Sequence, residues 1–271
     1  MTPGFGRRIL VLAAHPDDEV VACAAAIGRA RDAGAQVFVL FLTHGCTPRD
    51  QAWPWRRGSH ASAVARRRAE AERAARALGV TVVALADRPA RTLWREMAAA
   101  RDEVGAAIAA HAVDQLWAPA YEGGNPDHDA LNAVAGSLRG AVSGGVLEFA
   151  EYNFAGGRAR SHAFPSPNGG EQVIALTPAE QAQKRTLLRL YASEAGNLGY
   201  VGLDRECWRP LAAYDYARPP HAGRLWWARF QWVPFRHPQV DFTDPREVAS
   251  AIAGFASEQY HSAKTAVFTI P

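Results

Sequence analysis

Cysteines are few, long apolar runs and a large excess of one charge are missing from this sequence, and each shortage narrows its reading. The three cysteines, Cys23, Cys46 and Cys207, are odd in number and scattered. They offer no disulfide framework and no C-x-x-C pair, so a reducing cytoplasm is the expected compartment. No stretch reaches the roughly 18 consecutive apolar residues of a membrane span. Arg7 and Arg8 precede an apolar segment, but His15, Asp17, Asp18 and Glu19 interrupt it, so it does not read as a signal peptide. The formal net charge of +3 is too small for a nucleic-acid-binding signature, and Arg66-Arg67-Arg68 reads first as a solvated helix face. A glycine-rich phosphate turn is absent after the first apolar run. Acids stand there instead, which disfavours a nucleotide-binding Rossmann enzyme.

The sequence contains the makings of an α/β protein. Its 271 residues are 48% hydrophobic and 21% charged, ordinary for a globular chain with a sizeable core. Short apolar runs at 9–14, 36–42, 80–85, 115–119 and 145–150 predict strands. Helical segments are predicted at about 19–33, 62–78 and 92–112, with another after 127, and glycines close the first two at Gly34 and Gly79. This alternation predicts a Rossmann-like, open, mostly parallel doubly wound sheet flanked by helices. After residue 150 the pattern changes to a Gly/Pro-rich stretch and a helix at about 177–192. Residues 205–245 then form an aromatic, proline-rich tail. The chain reads as one domain over 1–271, with 200–271 an extension packed on it. The polar 43–60 loop is too long for a simple connector.

Ligands of open α/β sheets gather beyond the carboxyl ends of the strands. His15-Pro16-Asp17-Asp18-Glu19 follows the first strand, Thr43-His44-Gly45 the second, and Tyr121 to Asp129 the fourth. Taken singly, the first and third could be helix starts whose acids complement the dipole. Taken together, His15, Asp18 and His128 form a nitrogen/oxygen donor set. Three protein donors with an open position suit catalytic zinc, and Asp17 stands next to them to handle a proton.

Ala14-His15-Pro16-Asp17-Asp18-Glu19 after a first strand resembles the signature of the LmbE-like family. That family comprises the N-acetylglucosaminyl-phosphatidylinositol (PIG-L) deacetylases and the mycothiol- and bacillithiol-pathway deacetylases. Further motifs agree in order: Arg67-Arg68-Ala69-Glu70 with Leu78-Gly79-Val80, then Tyr121 through Asp129 (YEGGNPDHD), then Lys184 through Tyr191-Ala192-Ser193-Glu194. The resemblance covers about residues 8–195. It implies a zinc-dependent hydrolase that removes an N-acetyl group from an N-acetylglucosamine-containing conjugate through a metal-activated water. His15, Asp18 and His128 would hold Zn2+, and Asp17 would be the general base. Arg67 would hydrogen-bond sugar hydroxyls, unless it simply forms an i,i+3 pair with Glu70. Asp127 and His44 are further substrate-binding candidates.

Three positions depart from the family pattern. Asn125 stands where a histidine is usual, at the position that stabilises the oxyanion or protonates the leaving amine. Asparagine can donate a hydrogen bond but cannot deliver a proton. His44 replaces an Asp or Asn, and Glu194 replaces a Gln. Because of Asn125, the alternative is a non-catalytic zinc- or sugar-binding member of the same fold. The expected partner is a small amino-sugar conjugate, with no nucleic acid and no membrane span, and a homo-oligomer is compatible with the sequence. The aromatic tail reads as core in part. Together with the 46–60 loop it is also expected to rim the pocket.

Overall fold

In the computed structural model, which describes the backbone of residues 4–267 and the side chains of residues 4–259, the apolar run after Arg8 forms strand β1 (Arg8–Ala13). Ile9 to Ala13 are fully buried, as a strand covered on both faces requires. Parallel pairing places β2 (Gln36–Phe41) on one side of β1 and β4 (Gln115–Pro119) on the other. Strands β3 (Thr81–Leu85) and β5 (Val146–Ala150) extend the parallel sheet outward. The short hairpin β6 (Tyr152–Asn153) and β7 (Arg160–Ser161) stands apart. Strands β8 (Gln172–Ala175) and β9 (Arg205–Pro210) complete a seven-stranded sheet of order β3-β2-β1-β4-β5-β9-β8. The last two pairings, β5 with β9 and β9 with β8, are antiparallel.

Helices cover both faces. On one side, α1 (Asp18–Asp32), α2 (His60–Leu78) and α5 (Pro178–Leu188) enclose a core containing Ile9, Val11, Ile27 and Trp117. On the other, α3 (Met97–His111), α4 (Pro126–Ser137) and α6 (Pro245–Val267) pack over Leu10, Leu12, Leu116 and Ala118. Local chemistry sets several boundaries. Gly79, in the left-handed region at φ 66°, ends α2 where a side chain would strain the turn and meet Arg31. Thr177 and Glu180 form a reciprocal capping box at the start of α5.

Two predicted helices are shorter than their sequence pattern. The 92–112 helix begins only at Met97, because the backbone N–H groups of Arg91 and Leu93 donate to the Asp127 carboxylate and hold the preceding turn away from helical geometry. The 177–192 helix stops at Leu188, and the next residues turn inward to reach buried acids. The aromatic tail is more integrated than a packed extension. Its residues 205–210 are sheet strand β9, and Trp208 is buried with its ring 4.5 Å from that of Trp117.

Parallel order reverses between β1 and β4, so the crevice beyond their carboxyl ends is the topological switch point. The loops after β1, β4 and β5 meet there.

Candidate metal centre and active-site cavity

The loop after β1 is held by its own acids. The backbone N–H of His15 donates to Asp18 Oδ2 at 2.8 Å, and that of Asp17 donates to Glu19 Oε2 at 3.1 Å. Asp17 itself has φ 138°, a conformation costing a non-glycine residue about 1–3 kcal/mol. Its carbonyl accepts from Val20 and Val21, so the first turn of α1 fixes it in this conformation. Glu19 is fully buried, and burial lifts its carboxyl to about 7 although the Tyr191 hydroxyl donates to it. Behind the loop, Gly45 (φ 75°) lies so close to Arg67 and Pro16 that a Cβ would come within 3 Å of both.

Helix α4 delivers the second half of the site. Asn125 caps it, its Oδ1 accepting from Asp127 N at 2.9 Å. His128, one turn in, is 1% exposed. One donor atom from each of His15, Asp18 and His128 lies within 4.8 Å of the others. His15 Nδ1 is 3.1 Å from His128 Nε2, and His128 Nε2 is 3.4 Å from Asp18 Oδ1. Two ring nitrogens and a carboxylate oxygen thus point at one another with no carbon between them.

The surroundings favour a cation at that point. Burial alone would push His15 down, but hydrogen bonds and charge from Asp127 and Asp18 outweigh it and lift the imidazole to about 10. Against its own burial, Asp18 is held far below the usual carboxylate range by His128 and His15. The outer nitrogen of His15 faces Asp127 Oδ2 at 3.1 Å, the arrangement that orients a metal-binding imidazole. The outer nitrogen of His128 faces Glu151 Oε1 at 3.6 Å, and that nitrogen and both Glu151 oxygens are buried without a hydrogen-bond partner. Borderline N/N/O donors with an open side fit zinc.

His15 and Asp18 floor a cavity of about 1000 Å3, large enough for a drug-sized ligand, with His128 buried behind them. Asp17, Arg67 and Asn125 line it beside the donor set. Asp17 is 8% exposed. Burial raises its carboxyl well above the usual range, and the charge of Arg67 opposes that rise. Arg67 donates to Pro16 O at 2.5 Å and Asp17 Oδ2 at 3.3 Å, and its Nη1 lies 3.4 Å from Glu194. It makes no pair with Glu70, which accepts instead from the backbone and hydroxyl of Ser193. The mouth is built from the 46–60 loop and the tail. Arg56, His60, Trp226, Arg229 and Phe235 contribute, and the Trp53 ring meets that of His237 at 5.3 Å to join the two segments.

Two sequence candidates sit differently from the rest. Asp127 is fully buried and committed to Arg91 N, Leu93 N and His15, so it has no free acceptor for a substrate. His44 is turned away from the cavity. Its Nδ1 accepts from Cys46 N and its ring meets that of His60 edge-on at 5.9 Å, so His60 rather than His44 lines the wall. Sequence reasoning missed Glu151, Tyr152 and Tyr200, and read Glu194 only as a motif departure, whereas it pairs with Arg67. Glu151 and Tyr152 follow β5 directly, so the strand-end rule that located His15 applied equally to them.

Residues 10–138 match the profile described as "GlcNAc-PI de-N-acetylase" (PIG-L). No curated protein sequence matches the chain significantly. Among solved structures, the fold is similar to a deacetylase of teicoplanin biosynthesis in a complex described as "deacetylase-bog". That pair has a TM-score of 0.57 and 18% identity, covering 77% of this chain and 99% of that one. The zinc-inhibited form of teicoplanin deacetylase gives 0.54 and 17%, with the same coverage. The A40926 pseudoaglycone deacetylase gives 0.56 and 18%, again with 77% and 99% covered. At these identities the structures establish the fold alone, while the profile match spans β1 through α4 and both motifs of the donor set. Residues 10–138 thus carry a domain that matches the GlcNAc-PI de-N-acetylase (PIG-L) family.

Proposed function

We propose that this protein is a zinc-dependent hydrolase that removes an N-acetyl group from an N-acetylglucosamine-containing conjugate. The observation that carries this reading is the convergence of donor atoms from His15, Asp18 and the buried His128, with His15, Asp18 and Asp17 lining the cavity. The family match supports the reaction class. His15, Asp18 and His128 would hold the ion, and Asp127 and Glu151 would orient the two imidazoles from behind. When bound there, zinc supplies Lewis acidity, lowering the pKa of water from about 15.7 toward 7 and polarising the acyl carbonyl.

The remaining work falls to the chain's own side chains. Asp17 accepts a proton from the attacking water as the new C–O bond forms. As the C–N bond breaks, the same carboxyl returns that proton to the nitrogen, so acetic acid and a free amine leave in balance and ionise to acetate and an ammonium. Arg67 holds Asp17 in place, and its Nε and Nη1 lack hydrogen-bond acceptors of their own, which suits it to bind sugar hydroxyls. The aromatic mouth supports a conjugate over the free sugar. Trp226 offers a ring face, and Arg218, Arg224, Arg229 and Arg236 occur between residues 217 and 240 without one acid.

One observation favours a second reading, a non-catalytic binder: Asn125 cannot supply a proton. Both readings are tested by acetate release from a panel of N-acetylated sugars, with and without chelator. Release that chelator abolishes supports the hydrolase. Zinc and sugar binding without acetate release would establish the binder.

A further inference from the structure

Asn125 removes the imidazole expected at the cavity wall, and the surrounding contacts show what has taken its place. Its Oδ1 is committed to the α4 cap, accepting from Asp127 N at 2.9 Å. That bond settles which way round the amide lies, so the NH2 group is the end left to point outward. The Asn125 side chain neighbours that of Tyr152 on the cavity wall. A phenol beside an outward-facing amide NH2 still carries its own O–H proton, which is free to find an acceptor elsewhere.

Tyr152 is built into this position. Its backbone N–H donates to Glu122 Oε1 at 3.0 Å, anchoring it at the end of β5. Its ring stands edge-on to His128 at 5.8 Å and against Tyr200 at 4.4 Å. The neighbouring Gly124 lies so close that a Cβ would come within 2.3 Å of the Tyr152 carbonyl and 3.2 Å of its ring. Only glycine lets the Asn125 loop approach the phenol at this distance. Asp17, Asp18, Asn125 and Tyr152 all line the same cavity.

Resting on the deacetylase reading, we propose that Tyr152 is a catalytic residue of this chain: its hydroxyl donates a hydrogen bond to the acyl oxygen as charge develops there, and Asn125 is the positioning residue that aims it. No proton leaves the tyrosine. The proton for the amine comes from Asp17, so a tyrosine and an asparagine together replace the stabilising half of the histidine's work.

The test uses the full chain with zinc and 4-nitrophenyl N-acetyl-glucosaminide as probe, following acetate. Tyr152→Phe keeps the ring and removes the donor. Its kcat is expected to fall about 100-fold with KM, zinc content and melting temperature unchanged. Affinity for a methylphosphonamidate mimic of the tetrahedral carbon should fall in step, while affinity for the glucosaminide product stays the same. Asn125→Asp keeps the helix cap but turns the donor into an acceptor that captures the Tyr152 proton. It should lower kcat about tenfold or more in the wild type and hardly at all in the Tyr152→Phe background. An active wild type whose Tyr152→Phe form keeps more than half its kcat, or additive effects of the two changes, overturns the assignment of Tyr152 alone. A wild type that releases no acetate overturns the deacetylase reading and this assignment with it.

Discussion

Two clusters of buried charge in this molecule lie along β5, one within the strand and one just past its end, and their bonding differs. In the first, Glu148 on β5 accepts from Arg209 at 2.6 Å, from Tyr214 at 2.8 Å and from Asn132 at 3.0 Å. Arg209 reaches on to Glu171 and the Ser166 carbonyl. In the second, just past the end of the same strand, Glu151 and the outer nitrogen of His128 face each other unpartnered, and so do two nitrogens of Arg67. Leaving such groups unsatisfied costs about 1–3 kcal/mol each. A cluster that serves only the fold closes its bonds internally. One that leaves donors and acceptors unsatisfied beside and behind a cavity floor is set up for something that arrives from outside.

The comparison can be broken from either side, and the largest effects belong to the open cluster. Asp17→Asn should keep zinc and lose activity by about 1000-fold or more, read as kcat for acetate release. The closed cluster should respond in stability instead. Arg209→Met strands the Glu148 carboxylate and should cost about 3–5 kcal/mol, lowering Tm by on the order of 10 °C, with zinc stoichiometry unchanged. If Arg209→Met lost zinc before it lost stability, the division between the clusters would be wrong.

A third effect is smaller and lies at the mouth. Trp226→Ala should raise KM about tenfold for an aryl or lipid-linked conjugate and leave KM for free N-acetylglucosamine nearly alone. Equal changes for both would show that the aromatic segment is wall and not recognition surface.

The smallest effect sharpens the closed side through pH. Glu180 lies in an ion pair with Arg29 at 2.7 Å, and that hydrogen bond, against slight burial, lowers its carboxyl to about 2. The folded pKa is below the unfolded one, so the contribution is fully present above about 4.5 and is lost as pH falls toward 2. Glu180→Gln should therefore cost about 1 kcal/mol at pH 7 and close to nothing near pH 2. Denaturant melts at the two pH values check this.

The sequence made the parallel half of the fold legible because its signals are local. Apolar runs of five or six residues mark β1 through β5, and the first helices end at glycines. His15, Asp18 and His128 came together on paper for the same reason: each lies a few residues beyond a readable strand, and topology does the rest. What stayed hidden depends on long-range pairing. Strand β9 carries Glu206 and Arg209 among its six residues, so its pattern looks polar until Lys184 and Glu148 are seen to neutralise them. Helix α3 loses its first turn to Asp127, which lies 34 residues away from Leu93. Tyr152 and Glu151 stand at a readable strand end but in no spacing motif, so the geometry around Asn125 and His128 is what singles them out. His44 is the converse case, a histidine at the right strand end whose ring lies against His60.

The central claim is that the open cluster is a zinc site on which hydrolysis depends. Its most direct test is acetate release by protein stripped with chelator and then titrated with zinc, alongside His128→Ala. The account predicts no activity in the stripped protein, recovery complete at one zinc per chain, and neither tight zinc binding nor recovery in His128→Ala. Full activity in the stripped protein, or unchanged zinc affinity in His128→Ala, would contradict it.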